Sequence, residues 1–256
     1  MRIRTAVTAV CGTLALLGAV APVAQADSHH GDTRFTSVTF SRSTVNVGVS
    51  KAQSVTVTAT AKDDSGISGI YGGKLVSPDK RIAFPDDGSC SRPSSTTMKC
   101  TWKYVLDAND SDDYADLRNA DAGTWHLDAE AAATDHDFYT LDSSKTVKVK
   151  RYAELSVTQA GPEPVGKGRT LTVTGALTRA NWDTNVYAGY TAQRVALQFK
   201  KSGSSSYSTV KTVTTDSKGK LKTSVKAASS GTWRWMFAGT GTTMAVTAGG
   251  DSVALK

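Results

Sequence analysis

The chain has 256 residues, of which 39% are hydrophobic and 21% charged, and it carries a formal net charge of +7. Beyond the N-terminal region, no stretch approaches the ~20 apolar residues that a membrane-spanning helix needs, which excludes a helical membrane protein. After removal of an export signal, about 230 residues would remain, a length that suits two domains of roughly 100–120 residues.

The N-terminal region has the composition of an export signal. Arg2 and Arg4 give it a positive start, residues 6–20 are apolar or small, and Ala24-Gln25-Ala26 matches the small-x-small pattern that signal peptidase accepts. We therefore predict a signal peptide over residues 1–26, a secreted, extracellular protein and no membrane insertion. Residues 27–34 are predicted to form a flexible start of the mature chain.

Two cysteines, Cys90 and Cys100, remain once the signal is removed. An even pair in an exported chain predicts a disulfide, and the pair has no nearby His or further Cys for a metal site.

The charge is divided unevenly between the two halves. Residues 27–150 contain 14 Lys and Arg against 18 Asp and Glu, whereas residues 151–256 contain 14 against 5. This asymmetry indicates different partners for the two halves, or attraction between them.

Alternation of apolar and polar residues dominates the first half. In "SVTVTATA", residues 54–61, valines and alanines alternate with threonines, as expected of a half-buried antiparallel strand. Further strands are predicted near residues 35–40, 45–48, 67–76, 98–106, 124–133 and 145–150. Residues 110–119 are predicted to hold one short helical turn after acidic capping residues.

The second half repeats this pattern in "TLTVTGALT", "RVALQFKK" and "TWRWMFAG". The segment 208–227 is predicted to be a hairpin with its turn at residues 216–219. About seven strands at 8–12-residue spacing favour an immunoglobulin-like sandwich. We therefore predict an all-β protein with two immunoglobulin-like antiparallel β-sandwich domains in tandem. The first, residues 35–151, is acidic and contains the disulfide, and the second, residues 152–256, is basic.

The segments "AGPEPVGKGRTLTVTGALTRANWDTNVYAGYTAQRVALQFKK" and "KTVTTDSKGKLKTSVKAASSGTWRWMFAGT" resemble a family of secreted actinobacterial proteins. "RNADAGTWHLDAEAAATD", followed by "VKVKR", resembles the N-terminal half of the same proteins. The resemblance implies a secreted protein that ends in a β-sandwich domain. Members are often catalogued as calcium-binding, so it also points to calcium, but it brings no catalytic residues to this chain.

Motifs of the common enzyme classes are absent from the sequence. It has no GxSxG, HExxH, P-loop or glycine-rich dinucleotide turn. Of its four histidines, two lie in the predicted flexible start. We therefore predict a protein that is not an enzyme.

The strongest candidate for a ligand site is "DANDSDDYADLRNADAG", residues 107–123, which contains six aspartates. It does not fit an EF-hand, because Asp112 takes the place of the required Gly and Arg118 that of the bidentate Glu. Two interpretations remain, a solvated loop and a calcium site completed by aspartate pairs at the ends of other strands. The candidate calcium ligands are Asp63, Asp64, Asp107, Asp110, Asp112, Asp113, Asp116, Asp135 and Asp137.

Three further groups of residues offer other chemistry. Cleavage after Ala26 would leave a free amine and a histidine at position three, an arrangement that binds Cu(II) or Ni(II) through Asp27, Ser28 and His29. Lysines on one face of a strand (Lys220, Lys222 and Lys226) suit an anionic polymer, or only protect a sheet edge. Aromatic residues in one loop (Trp182, Tyr187 and Tyr190) suit sugar rings, or only cap the core.

The sequence thus predicts a secreted, non-enzymatic protein that binds calcium through the acidic loop of its first domain. The alternative function is a cell-envelope or carbohydrate-binding module that uses the basic face or the aromatic loop of the second domain. The expected partner is a cell-wall polymer or another secreted protein. Nucleic acid is not expected outside the cell.

Overall fold

The computed structural model describes residues 26–109 and 116–256, and nearly all of their regular structure is β-strand. The predicted signal up to residue 25 lies outside the described residues, as do Asp110, Asp112 and Asp113 of the acidic run. Most of the helical turn predicted over residues 110–119 lies there too, and a short 3-10 helix follows at Asn119–Asp121. Within the described ranges, no helix has the length and apolarity needed to cross a membrane.

The first half forms a sandwich of two sheets. Its strands are β1 (Ser28–His30), β2 (Arg34–Phe40), β3 (Thr44–Val47), β4 (Gln53–Lys62), β5 (Ile67–Val76), β6 (Ile82–Ala83), β7 (Asp87–Ser94), β8 (Thr97–Leu106), β9 (Gly123–Ala133), β10 (Phe138–Leu141) and β11 (Thr146–Arg151). One sheet has the order β1-β10-β9-β11-β3, with β5 on β9 and β6 on β5, and the other has the order β2-β4-β8-β7. Strand β3 runs parallel to β11, and the other pairs are antiparallel.

The second half forms another sandwich. Its strands are β12 (Ala153–Leu155), β13 (Gln159–Gly161), β14 (Thr170–Asn181), β15 (Val186–Gly189), β16 (Arg194–Lys201), β17 (Ser208–Thr214), β18 (Lys220–Lys226), β19 (Gly231–Phe237), β20 (Val246–Thr247) and β21 (Asp251–Val253). Strands β12, β13, β15 and β18 pair with β14, while β17, β20 and β21 complete the sheet around β16 and β19. The predicted all-β fold of tandem immunoglobulin-like sandwiches is confirmed.

The alternating patterns produce the two cores. On β4, Val57, Ala59 and Ala61 are fully buried, while the intervening threonines are only half-buried. On β19, Trp233, Trp235 and Phe237 are buried, as their spacing predicts. Side chains two residues apart on a strand share a face, so each run buries one apolar stripe against the facing sheet.

The predicted hairpin at residues 208–227 is wrong. Its turn is present, because Gly219 N–H donates to the carbonyl of Asp216 at 3.1 Å. The two flanking strands nevertheless separate, since β17 pairs with β16 and β18 pairs with β14 in the other sheet. The turn therefore carries the chain from one sheet to the other. Alternation predicted both strands but did not reveal their partners.

The start of the mature chain also differs from the expectation of flexibility over residues 27–34. Ser28–His30 forms β1, which pairs with β10 through Ser28↔Thr140 and His30↔Phe138. The carboxylate of Asp27 accepts a hydrogen bond from Asp142 N–H at 3.0 Å. The backbone amides of this polar segment are satisfied by the edge of a sheet, so its composition did not reveal the strand.

The predicted disulfide is present. Cys90 and Cys100 face each other across β7 and β8, with their Cα atoms 4.1 Å apart. Cys90 is exposed and Cys100 is buried in the first core. The bond therefore fastens an outer strand to the centre of its sheet.

A segment of the second sandwich completes the core of the first. Trp182, just beyond β14, is 2% exposed and packs with the first sandwich's core cluster. Its Nε1 donates to the carbonyl of Val47 at 3.2 Å, and its backbone N–H donates to Oδ1 of Asn119 at 3.0 Å. Nearby, Nε of Arg151 donates to the carbonyl of Ala180 at 2.6 Å. The two sandwiches thus share one continuous junction.

Candidate metal centre

Three chain reversals meet at one end of the first sandwich. They are the link between β1 and β2, the link between β4 and β5, and the link between β9 and β10. Strands β4 and β9 belong to facing sheets, and each ends at a link that supplies aspartates. The resulting carboxylate cluster consists of Asp32, Asp63, Asp64, Asp135 and Asp137.

The spacing of these carboxylates matches that of ligands around one hard cation. Oxygens of Asp32, Asp63 and Asp64 lie within 4.8 Å of one another, and so do oxygens of Asp63, Asp135 and Asp137. Calcium binds oxygen at about 2.4 Å, so two oxygens on opposite sides of the ion are about 4.8 Å apart. Both triplets include Asp63, which makes it the centre of the cluster.

Asp63 is fully buried and held in place by hydrogen bonds. Ser65 donates to Oδ1 through its backbone N–H at 2.8 Å and its hydroxyl at 2.6 Å, and the Thr33 hydroxyl donates to Oδ2 at 2.6 Å. Burial acts to raise the pKa of Asp63, but these hydrogen bonds outweigh it and lower the pKa below 3.8. A buried, ionised carboxylate therefore stands at the centre of the cluster.

The N-terminal segment closes one side of the cluster through Asp137. Nδ1 of His30 lies 3.0 Å from Oδ1 of Asp137, and the Asp32 N–H donates to its Oδ2 at 3.1 Å. Gly31, between them, has φ +72, and a Cβ there would lie 1.4 Å from Oδ2 of Asp137. Only glycine allows the chain to pass this close to the carboxylate.

The negative charge of the cluster is poorly compensated. Among the described residues, no Lys or Arg lies within 4.0 Å of these carboxylates, and the one basic side chain that does is the imidazole of His30. The pKa of Asp32 is raised above 3.8, first by partial desolvation and then by the charges of Asp64 and Asp63. Like charges at this separation disfavour ionisation unless a cation neutralises them.

The described aspartates of the predicted acidic run, Asp107, Asp116 and Asp121, do not join this cluster. Lys62 pairs with Thr97 at the cluster end of the first sandwich, whereas Gln53 pairs with Leu106 at the other end. Asp107 follows Leu106 directly, so a strand length of roughly 30 Å separates it from Asp63. Asp116 lies on the same side as Asp107, because Leu117 N–H donates to the carbonyl of Asp107 at 2.9 Å. Asp107 and Asp116 therefore lie at the end of the first sandwich that meets the second, where Asp116 shares a cleft with Trp182 and Asp183.

Asp121, at the end of the run, has a structural role. It is 1% exposed, and its Oδ2 accepts from Nε of Arg81 at 2.7 Å while its Oδ1 accepts from the Ser77 hydroxyl at 2.8 Å. This buried ion pair fastens the β5–β6 connection to the 3-10 helix. At least one aspartate of the acidic run therefore binds protein groups and is not a free ligand for a metal.

Sequence reasoning identified four of the five clustered aspartates and missed Asp32, together with its neighbour His30. Both lie in "DSHHGDTRF", which composition assigned to a flexible segment. The signal that was available is the Gly-Asp pair at residues 31–32, directly before the alternating strand β2. That pair indicates a turn, and a turn directly before β2 is typical of a hairpin with a preceding strand.

The predicted copper or nickel site at Asp27, Ser28 and His29 conflicts with this arrangement. A square-planar complex would use the amine and the backbone nitrogens of this segment, which here form strand β1. The His29 ring stacks on Tyr139, with centroids 5.8 Å apart. Binding of such a metal would require β1 to leave its sheet.

The aromatic loop does not form the exposed platform that sugar stacking requires. Trp182 is buried at the junction, and Tyr187 is half-buried against the same core. Tyr190 packs on the second core, 5.7 Å from Phe237 between ring centroids, with Arg179 3.9 Å above its ring. The interpretation in which these aromatics cap the core is the one that the structure supports.

The three lysines of β18 lie as predicted. Lys220, Lys222 and Lys226 are exposed on one face of the strand, and Leu221 and Thr223 are buried on the other. We call these three residues the lysine row. It lies in the second sandwich, away from the carboxylate cluster.

Comparisons with known proteins add little beyond the fold. No protein family matches the sequence, and neither does any curated protein. The D00–D0 domain of intimin is similar in structure, with 12% identity, a TM-score of 0.27, and 85% of this chain and 98% of that chain covered. The three N-terminal domains of the bacteriophage RB49 Highly Immunogenic Outer Capsid protein are also similar in structure. The identity is 10% and the TM-score 0.31, with 88% of this chain and 71% of that chain covered. At such TM-scores these similarities carry no argument about function.

Proposed function

We propose that this protein is a secreted, non-enzymatic immunoglobulin-like protein that binds one or two calcium ions at the carboxylate cluster of its first sandwich. The spacing of Asp63 from its neighbours carries the proposal, because two triplets of oxygens lie within 4.8 Å. Three separate reversals supply these oxygens. The carboxylates repel one another, so a cation that neutralises them would stabilise the folded chain.

Calcium suits these ligands better than other common metals do. The cluster offers carboxylate oxygens, whereas zinc and copper sites in proteins are rich in nitrogen and sulfur. Calcium accepts six to eight oxygens in irregular geometry, and magnesium requires a regular octahedron with shorter bonds. The resemblance to secreted actinobacterial proteins that are often catalogued as calcium-binding supports the same choice.

Bound calcium would stabilise the attachment of the N-terminal segment to the first sandwich. Asp32 lies on the β1–β2 link, and Asp137 contacts that link through His30 and the Asp32 N–H. An ion shared by Asp63 and either neighbour would bind this segment to the end of the sandwich. The proposed role is thus stabilisation of an extracellular fold in calcium-rich surroundings.

Calcium should raise the melting temperature of the protein. Extracellular sites commonly have Kd values of about 0.1–1 mM. At a hundredfold excess over Kd, binding to the folded state alone stabilises it by about 2.7 kcal/mol, which corresponds to several degrees. We expect this shift in calorimetric melts with about 10–100 mM calcium, a hundredfold excess over such Kd values, against EDTA at matched ionic strength, and a much smaller shift with magnesium.

Two double variants separate the cluster from the acidic run. Asp135→Asn with Asp137→Asn should abolish the calcium shift, whereas Asp107→Asn with Asp116→Asn should retain it. Each pair removes two negative charges from the first sandwich, so a general charge effect would alter both equally. Melts of the unsubstituted protein that coincide in calcium and EDTA would refute calcium binding, and loss of the shift only in the second pair would move the site to the run.

A further inference from the structure

The lysine row places three exposed cations on one face of a single strand. Alternate residues of a strand lie about 7 Å apart on one face, so Lys220 and Lys226 define a line of about 20 Å. All three lysines are exposed, and Ser224 occupies the one intervening position on that face. The row therefore presents three ammonium groups on one face of one strand, with spacings of about 7 and 14 Å along it.

Threonine hydroxyls accompany the row on the neighbouring strand. The register of β14 and β18 sets Thr174 opposite Lys222 and Thr170 opposite Lys226. Nζ of Lys226 donates to Oγ1 of Thr170 at 3.1 Å. Ammonium and hydroxyl groups both donate hydrogen bonds to anionic oxygens. Neither β14 nor β18 contains an aromatic residue.

One end of the row opens into a cleft of about 640 Å³. Arg169, Thr170 and Lys226 line it together with residues of the proline-rich link at 162–166, and no Asp or Glu side chain does so. Arg169 is held beside the row because Ala227 N–H donates to its carbonyl at 3.0 Å. The cleft thus extends the row by the guanidinium group of Arg169, and Lys256 also lines it.

Carboxylates of the protein compensate the charges of this surface only at one end, where Asp216 lies near Lys218 and Lys220. In residues 152–256, all of which the structure describes, no Lys or Arg lies within 4.0 Å of a carboxylate oxygen, whereas the first sandwich contains such pairs. At the Lys220 end, the carboxylate of Asp216 accepts the backbone N–H groups of Lys218 and Lys220, each at 2.8 Å. At the cleft end, the nearby acid in sequence is the exposed Glu163.

We propose that the lysine row and the Arg169 cleft form one track that binds a linear anionic glycan or polyol polymer through its phosphodiester or carboxylate groups. An extended polymer reaches several of these cations at once, and each contact releases a counterion. Single-stranded nucleic acid suits the track less well, because proteins that bind it stack bases on aromatic side chains. This binding is separate from the proposed calcium site, so it is tested in EDTA.

The test measures binding of the full mature chain to poly(glycerol phosphate), oligogalacturonate and neutral dextran by titration calorimetry at about 50 mM salt. The track variant is Lys220→Gln, Lys222→Gln and Lys226→Gln, and its matched control is Arg194→Gln, Lys201→Gln and Lys211→Gln on the other sheet. Both variants remove three exposed cations from the second sandwich. Their melting temperatures should stay close to that of the unsubstituted chain.

We expect one or both anionic polymers to bind and dextran not to bind. The track variant should lose at least about tenfold in affinity and about two to three units of the salt slope, and the control less than about threefold in affinity. Preference between the two anionic polymers identifies phosphate or carboxylate as the recognised group. Equal losses in both variants, or no binding of either polymer, would overturn the proposal. Tighter binding of single-stranded DNA than of both polymers would overturn the choice of partner.

Discussion

At the scale of single residues, Asp63 and Asp32 respond to the same cluster in opposite ways. Hydrogen bonds from Ser65 and Thr33 keep the pKa of Asp63 below 3.8, despite burial. Asp32 makes no comparable set of bonds, and desolvation and the neighbouring carboxylates raise its pKa. Asp63 therefore stabilises the fold above pH ~4 and loses this effect as the pH falls through its lowered pKa. Asp32 opposes folding once it ionises.

Asp32→Asn should raise the melting temperature in EDTA at neutral pH. The reason is that the folded state prefers protonated Asp32, so the ionised form destabilises it at any pH above its raised pKa. The gain should vanish in melts at about pH 3, where Asp32 is protonated in both states. Thr36→Ala, an exposed change on β2 outside the cluster, serves as a control and should show no pH-dependent gain. A variant less stable than the unsubstituted chain in EDTA would contradict the repulsion.

At the scale of elements, the end of β14 and the residue that follows it pack against the neighbouring sandwich. Trp182 and Ala180 pack with the core of the first sandwich, and Asn119 binds this segment from the other side. The hydrogen bond from the Asn119 side chain to Oδ1 of Asn181 is 2.7 Å long. This segment is thus a structural element of both sandwiches.

Trp182→Ala should destabilise the first sandwich by about 3–5 kcal/mol, because it removes a buried indole and leaves a cavity. Trp182→Phe should cost less, since it keeps a ring while losing the hydrogen bond to Val47. Urea unfolding followed by the near-UV signal measures both. Equal stability of the alanine variant and the unsubstituted chain would show that the indole does not support the first core.

The sequence predicts a strand where alternation of apolar and polar residues lies within that strand. It does not predict which strands pair with each other. Alternation in β4 and β19 predicted both the strands and their buried faces. The partner of β18 depends on packing between sheets, which alternation does not encode. For the same reason, six aspartates in one run looked like the site. The pairing of β4 with β8 places Asp107, the start of that run, at the far end from Asp63.

At the scale of the whole molecule, the proposed sites lie in different sandwiches and the junction lies between them. The carboxylate cluster occupies the end of the first sandwich away from the junction, and the lysine row belongs to the second. Arg151, 7% exposed, spans the junction, and burial together with the charge of Arg179 lowers its pKa to about 10. It remains cationic at neutral pH, so the junction includes a buried charge bound to a carbonyl oxygen.

Removal of the disulfide should lower the stability of the entire molecule. The bond closes a loop of about ten residues, for which chain entropy gives about 2.5–3 kcal/mol. The shared junction should make both sandwiches unfold in one calorimetric transition, which Cys90→Ser with Cys100→Ser shifts downwards as a unit. Ser89→Ala on the same strand is a control that should leave the transition unchanged. Two transitions, of which only one moves, would show that the sandwiches unfold independently.

The position of Trp182 also bears on how such a protein can evolve. Immunoglobulin-like domains are commonly shuffled between proteins as independent modules. Here a gene segment encoding residues up to 151 would yield a first domain without its indole, and one encoding residues from 152 would expose that indole to water. A replacement first half would need a cavity that accepts Trp182, and a replacement second half would need a side chain that fills this cavity. We therefore expect gene duplication and fusion to preserve the two sandwiches as a pair, because each half depends on the other at Trp182.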